Sequence, residues 1–250
     1  MSPDQKPLPE LRPPQRPRIR LPQGLRPQDV PVIQVDRHLL AVPDAAQSIA
    51  ALRERFERQP VWTPEWVTES QWLDFSPGFT PIAAAVLIPI VAQPQPTVLL
   101  TRRSSRLNTH SGQVAFPGGR LDPGEDVVAA ALREAQEEVA LQPERVQVLG
   151  QLPSYLTGTG FEVTPVVGIV PPGLPLQANP HEVDEIFEVP LRFLLNPANH
   201  RHHVFQMDGM ERRWLSMPYL EKEQEYFIWG VTASILRNFY WFMRAPYSKP

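Results

Sequence analysis

Proline sets the first limit on this chain. Ten of its 31 prolines fall before Asp44, interspersed with Arg12, Arg16, Arg18, Arg20 and Arg26. Each proline removes a backbone donor and fixes φ, so the run LPELRPPQRPRIRLPQGLRP cannot form regular helix or a central strand. Residues 1–42 are expected to be an extended, disordered Pro/Arg-rich extension, and residues 43–250 the folded domain. A solvated tail is the plainer reading of the extension; a docking or polyanion-binding arm is the alternative.

Order is expected from Asp44, which can N-cap a helix whose apolar residues Ile49, Leu52 and Phe56 recur at helical spacing before Pro60. TPIAAAVLIPIVAQ and PTVLLTRR are short apolar runs separated by a Gln/Pro turn, the pattern of a hairpin. VQVLGQLPSYL, EVTPVVGIV, EIFEVPL and HHVFQM add further strands. A helix is expected near residues 125–139 and another near 228–243, the latter with Ile228, Thr232, Ile235, Phe239 and Phe242 along one stripe. Strands on both sides of a mid-chain helix, with a second helix at the end, imply an α/β fold in which a mixed sheet lies between helical layers.

Composition excludes several classes. The formal net charge of −3 offers no bulk attraction to nucleic acid or to an anionic membrane. No apolar run approaches the roughly 20 residues of a membrane span, and the N-terminus lacks the apolar core of a secretory signal. With no cysteine, disulfides, thiolate catalysis and cysteine-ligated zinc are absent. A cytoplasmic protein is expected, with a small-molecule substrate and no nucleic-acid or membrane partner; a homodimer is compatible with the chain. The run HRHHVF, His200 to Phe205, reads as surface histidines on a strand, since neighbours there alternate faces.

The chemistry concentrates in GGRLDPGEDVVAAALREAQEEVAL, Gly118 to Leu141. Pro123-Gly124 marks a turn, after which a helix begins at Glu125 or Asp126, with Val128, Ala131, Leu132 and Ala135 facing a core. Glu134, Glu137 and Glu138 are spaced i, i+3 and i+4 on another face, where like charges destabilise a helix. Either they form a solvated face, or a divalent cation such as Mg²⁺ or Mn²⁺, which favours carboxylate and water ligands, sits among them. Arg133 can pair with Glu125 and brace the helix to its loop. Gly118-Gly119 lets the backbone turn sharply and bring a carbonyl close to an ion.

This segment resembles the Nudix box, G-x5-E-x7-R-E-U-x-E-E-x-G-U, through Gly119, Glu125, Arg133, Glu134, Glu137 and Glu138. The resemblance implies a Nudix-type α/β/α sandwich and hydrolysis of a nucleoside diphosphate linked to another group. By matched position, Glu134 and Glu138 are the principal metal ligands, Glu137 is an auxiliary ligand or assists the base, and the Gly119 carbonyl is a further ligand. Glu125 and Arg133 form an orienting pair. A carboxylate from outside the box is also expected, with Glu182 and Glu185 as candidates. Ala135 is small for its position, and Ala140 replaces the final Gly, which commonly ends the helix with positive φ.

Immediately upstream, LLTRRSSRLNTHSGQVAFPGG, Leu99 to Gly119, is similar to the signature of the coenzyme A pyrophosphatase branch of that family. Asn108 departs from it by standing where a second Arg is expected. A substrate with a diphosphate and a separate 3′-phosphate needs cations beside the box. Arg102, Arg103, Arg106 and His110 are the candidates, with Gly118 beside them. An edge strand carrying protective charge is the other reading of that basic run. The resemblance implies metal-dependent hydrolysis of coenzyme A or its thioesters to adenosine 3′,5′-bisphosphate and 4′-phosphopantetheine or its acyl form. The alternatives are a pyrophosphatase acting on ADP-ribose or NADH, and a catalytically silent nucleotide-binding module.

Overall fold

A computed structural model describes residues 25–68, 79–107, 111–207 and 210–246. Its centre is a mixed sheet built around strand β2 (Ile82–Val91), which pairs along its whole length in parallel with β8 (Phe161–Val170). The expected hairpin partner, β3 (Thr97–Arg103), pairs with β2 only at Ile90–Val98 and Val91–Thr97. Pro89 explains the short ladder: it has no N–H to donate, and the strands separate there. The chain from β4 (Val114–Ala115) to β5 (Gly118–Arg120) wedges into the opening, pairing first with β3 and then with β2. This wedge carries the double glycine into the body of the sheet.

The sheet is completed by β6 (Gln147–Gln151) and β7 (Tyr155–Leu156), both on β8, and by β9 (Val183–Pro190) on the free edge of β3. Helix α2 (Val127–Val139) covers one face. Its Ala130, Ala131 and Ala135 are fully buried against Ala85, Leu87 and Val166, so small side chains let helix and sheet approach closely. Helix α1 (Ile49–Arg58) and the C-terminal α4 (Gly230–Arg244) cover the other face, where Leu52, Phe56, Leu236 and Phe239 meet Ile88 and Val167. The result is the expected α/β/α sandwich. The short helix α3 (Leu191–Leu194) follows β9.

Besides the short β4 and β5, the strands β1 (Val32–Val35), β11 (Met210–Glu221) and β12 (Gln224–Trp229) escaped the sequence reading. They form a second, antiparallel sheet with β10 (Arg201–Met207), in the order β1-β10-β11-β12. The extended, disordered reading is therefore corrected for residues 32–35. Pro31 lies before that edge strand, where no ladder bond is lost, and Val30 and Val42 on either side are buried. Residues 1–24 lie outside the described residues. Pro218 is tolerated inside β11 because β10 begins opposite Ser216, leaving that side of β11 unpaired at the proline.

Two further expectations are corrected. Ser48, not Asp44, caps α1: its hydroxyl accepts from the Ala51 N–H at 3.2 Å, while Asp44–Gln47 form a 3-10 turn. The histidines of HRHHVF are not surface residues. His200 and His203 are buried, with ring nitrogens on Leu194 O and Arg237, and on Val30 O and Ser216. His202 Nε2 meets Asp36 at 2.7 Å. Desolvation lowers the His200 pKa to about 4, so this imidazole is a neutral hydrogen-bonding strut.

Ala140 ends α2 with φ 58° and ψ 24°, the left-handed conformation that its missing glycine would adopt freely. Ala140→Gly is expected to stabilise the protein by about 1 kcal/mol, read by urea unfolding. No gain would mean that α2 ends under less strain than this backbone implies. Among the described residues, no helix is long and apolar enough to cross a membrane.

Candidate active site

The site lies where α2 faces the β4–β5 wedge. Asp126 caps the helix, accepting from the N–H groups of Val128 and Ala129 at 2.9 and 3.0 Å. Helical spacing then brings Glu134 and Glu138 towards the wedge. The Glu134 carboxylate lies so close to Gly119 that a Cβ added there would stand 2.2 Å from Glu134 Oε1. Gly118 N–H points to Glu138 Oε2 at 3.4 Å. A Cβ on Gly118 would instead meet backbone, 2.4 Å from the Ala85 carbonyl oxygen.

These neighbouring glycines predict different failures. Gly119→Ala displaces only the end of a flexible Glu side chain; turnover is expected to fall about a hundredfold with little change in melting temperature. Gly118→Ala collides with β2 and is expected to destabilise by about 2 kcal/mol or more. Parallel thermal melts and activity assays separate the two, and equal unfolding by both variants would contradict the assignment.

Arg133 is the hub of the acidic face. Its Nε and Nη2 donate to the two oxygens of Glu125 at 2.9 and 3.0 Å, and Nη2 also reaches the Arg120 carbonyl at 2.9 Å. Its Nη1 donates to Glu134 at 3.0 Å and Glu137 at 3.1 Å. Glu125 also accepts from the Asp122 N–H, so the pair fastens the loop before α2 to the helix as the spacing implied. The hydrogen bonds from Arg133 hold the Glu125 carboxyl below its ordinary pKa, and those from Glu125 raise the guanidinium's own.

Glu138 is in a different situation. Its side chain is 3% exposed, and Arg103 Nη1 on β3 stands 3.6 Å from Oε1. Desolvation outweighs that attraction, and the charges of Glu182 and Glu134 add to it, so the carboxyl is pushed up to about 8. Burial also raises Glu134, again with a contribution from Glu182. The convergence expected for all three box acids is incomplete: Glu137 is 54% exposed and turned to Arg133. Among the described residues, no group of three or more His, Asp or Glu side chains is arranged as a ready-made metal cage.

The candidate cations separate. Arg102 is directed away from Glu138 and pairs with Glu185 at 3.0 Å, while Tyr226 OH donates to the other oxygen of Glu185 at 2.8 Å. Adjacent residues of β3 face opposite sides of the sheet. Arg102 and Glu185 are thus removed from the acidic cluster and tie β3, β9 and β12 together. Arg106 is exposed, and His110 and Asn108 lie outside the described residues. Of the two candidate acids beyond the box, Glu182 is the one whose charge acts on both Glu134 and Glu138. Tyr226, which fixes Glu185, was missed; the β-prone aromatics of QEYFIW were its signal.

Residues 81–226 match the NUDIX domain family. The chain belongs to the Nudix family. It is 51% identical over 157 residues to "Uncharacterized Nudix hydrolase NudL" from Salmonella paratyphi B, a match spanning 62% of this chain and 79% of the relative, and the Salmonella newport protein of the same description matches equally. Among solved structures, a Caenorhabditis elegans Ap4A hydrolase binary complex aligns with a TM-score of 0.39 and 23% identity, covering 43% of this chain and 80% of that one. The NUDIX domain of Shewanella oneidensis NrtR complexed with ADP ribose aligns with a TM-score of 0.36 and 20% identity, over 45% and 74%. The family match and the 51% identical relatives identify the chain as a Nudix hydrolase, and hydrolysis of a pyrophosphate-type bond follows from that family.

Proposed function

We propose that this Nudix hydrolase splits the diphosphate of coenzyme A or its thioesters, releasing adenosine 3′,5′-bisphosphate and 4′-phosphopantetheine or its acyl form. The observation that carries this reading is that the upstream signature and the acidic helix form one site: Arg103 of the signature reaches Glu138 of the box, and Gly118 N–H meets the same carboxylate. The donor set suits a hard divalent cation. Glu134 and Glu138 are shielded carboxylates whose burial leaves their charge poorly compensated, and only a glycine at 119 admits the Glu134 carboxylate so close to the backbone.

Glu134 and Glu138 would hold Mg²⁺ or Mn²⁺, with Glu137, the Gly119 carbonyl and Glu182 as auxiliary ligands. Such an ion supplies charge neutralisation at phosphate and a lowered pKa for the attacking water. Glu137, at the exposed rim, would serve either as that auxiliary ligand or as the group that takes the proton of the water on its carboxylate. Arg133 and Glu125 orient Glu134 and the loop that carries Gly119. Arg103 and Arg106 supply guanidinium groups for phosphate oxygens. Water adds to phosphorus, the P–O bond of the diphosphate bridge breaks, and the leaving phosphate departs as the dianion or monoanion set by pH.

The test is kcat/KM for coenzyme A beside its dephospho form. Recognition of the 3′-phosphate is expected to favour coenzyme A by about tenfold or more, the worth of one charge-assisted phosphate contact. Equal turnover of both, with faster turnover of ADP-ribose or NADH, would assign the enzyme to another diphosphate.

A further inference from the structure

We propose that Arg103 is an exchangeable counter-ion: its guanidinium stands against Glu138 whenever that carboxyl is ionised in the ion-free protein, and moves to a phosphoryl group of the substrate once a divalent cation occupies Glu138. The inference rests on the diphosphatase reading above. It starts from the contrast between the two arginines of the site. Arg133 is committed to two oxygens of Glu125, to Glu134, to Glu137 and to a backbone carbonyl. Arg103 faces Glu138 across 3.6 Å, beyond hydrogen-bond range, and its buried Nε has no hydrogen-bond partner.

A buried N–H without an acceptor is costly, and native structures keep few of them. Here the donor lies beside the acids proposed to receive the ion. The root of the side chain is fixed, because Arg103 N–H donates to Gln113 O at 2.9 Å and Arg103 O accepts from Gly112 N–H at 3.1 Å. Only the side chain is left to move. Glu138 offers one oxygen to Arg103 and the other to Gly118 N–H, so an ion bound there and a guanidinium at its present position are like charges competing for one carboxylate. Displacement then leaves Arg103 with unpaired donors next to an anionic substrate, which guanidinium binds in bidentate fashion. Arg102 cannot substitute, since Glu185 holds it on the other side of the sheet.

The exchange has opposite signs in two measurements. Arg103→Gln is expected to bind Mn²⁺ about three- to tenfold more tightly in substrate-free protein, by calorimetry and by Mn²⁺ electron paramagnetic resonance at pH 9. The same variant is expected to raise KM for coenzyme A by about tenfold or more, with a smaller fall in kcat. Arg103→Lys, which keeps the charge, restores Mn²⁺ affinity towards the wild-type value and recovers only part of KM. Thermal melts verify that both variants fold. Unchanged or weaker Mn²⁺ binding by a folded Arg103→Gln overturns the exchange while leaving the diphosphatase reading intact. A wild-type protein that binds no Mn²⁺ overturns both.

Discussion

Glu138→Gln is expected to lower turnover by about a thousandfold or more while leaving the fold intact. The side chain is buried beside Gly118 N–H and Arg103, and Gln preserves its shape while removing its charge. The same substitution makes an unusual stability prediction. The Glu138 carboxyl is raised from 4.5 to about 8, mainly by desolvation. A folded-state value above the unfolded one means that folding favours the protonated form. In ion-free protein, stability contributed by that proton is present below about pH 4.5 and is lost as pH rises towards 8. Gln mimics the protonated carboxyl at every pH. In EDTA, Glu138→Gln should melt close to the wild type at pH 4.5 and progressively above it by pH 8. A variant less stable than the wild type at pH 8 would contradict the account of a strained, cation-seeking acid. Added Mg²⁺ should raise the wild-type melting temperature and leave that of the variant almost unmoved.

Arg133→Met has the second largest consequence, and it falls on stability and activity together. The substitution keeps the apolar stem but leaves Glu125, Glu134 and Glu137 without their shared cation, and the Arg120 carbonyl without its donor. Breaking a buried pair costs about 3–5 kcal/mol; the Arg133 side chain is 27% exposed, so about 2 kcal/mol is expected, a drop of roughly 5 °C in melting temperature. Turnover should fall about 10- to 100-fold, because the loop carrying Gly119 is no longer fastened to α2. Removing Glu125 alone should reproduce most of the stability loss. If Arg133→Met melts with the wild type, the hub is an ornament of the surface and its positioning role fails.

The fold's central layer was legible where local signals agreed. The acidic helix announced its start through Asp126 and its end through the Ala140 departure, and the short apolar runs of β3, β6, β8 and β9 were bounded by prolines and glycines. The second sheet was not legible. Strand β11 carries Pro218 and two adjacent arginines, and only its position beyond the start of β10 makes the proline acceptable. Strand β1 sits in a proline-rich context whose composition argues for disorder, while its membership depends on β10, some 170 residues away in the chain. His200, His203 and Arg237 look like surface residues by type; their burial depends on a network that joins the N-terminal strand, β10 and α4, which no local pattern contains.

The candidate site divides in the same way. Of the box residues read from spacing, Glu125, Glu134 and Glu137 gather on Arg133, with Glu134 against Gly119, while Glu138 turns to Gly118 and Arg103. The basic run could not be resolved from spacing alone, since Arg102 and Arg103 are neighbours in sequence and strand geometry sends them to opposite faces. Glu182 and Glu185 were equivalent candidates for the same reason: three residues apart, they differ only through their partners, Tyr226 and Arg102 on one side and the buried acids on the other.

The most direct measurement is mass spectrometry of the products formed from coenzyme A in ¹⁸O-labelled water, with Mg²⁺ and with EDTA. The account predicts adenosine 3′,5′-bisphosphate and 4′-phosphopantetheine with Mg²⁺, a single ¹⁸O on one of the two new phosphates, and no cleavage in EDTA. Intact coenzyme A in the presence of Mg²⁺, or equal cleavage in EDTA, contradicts it.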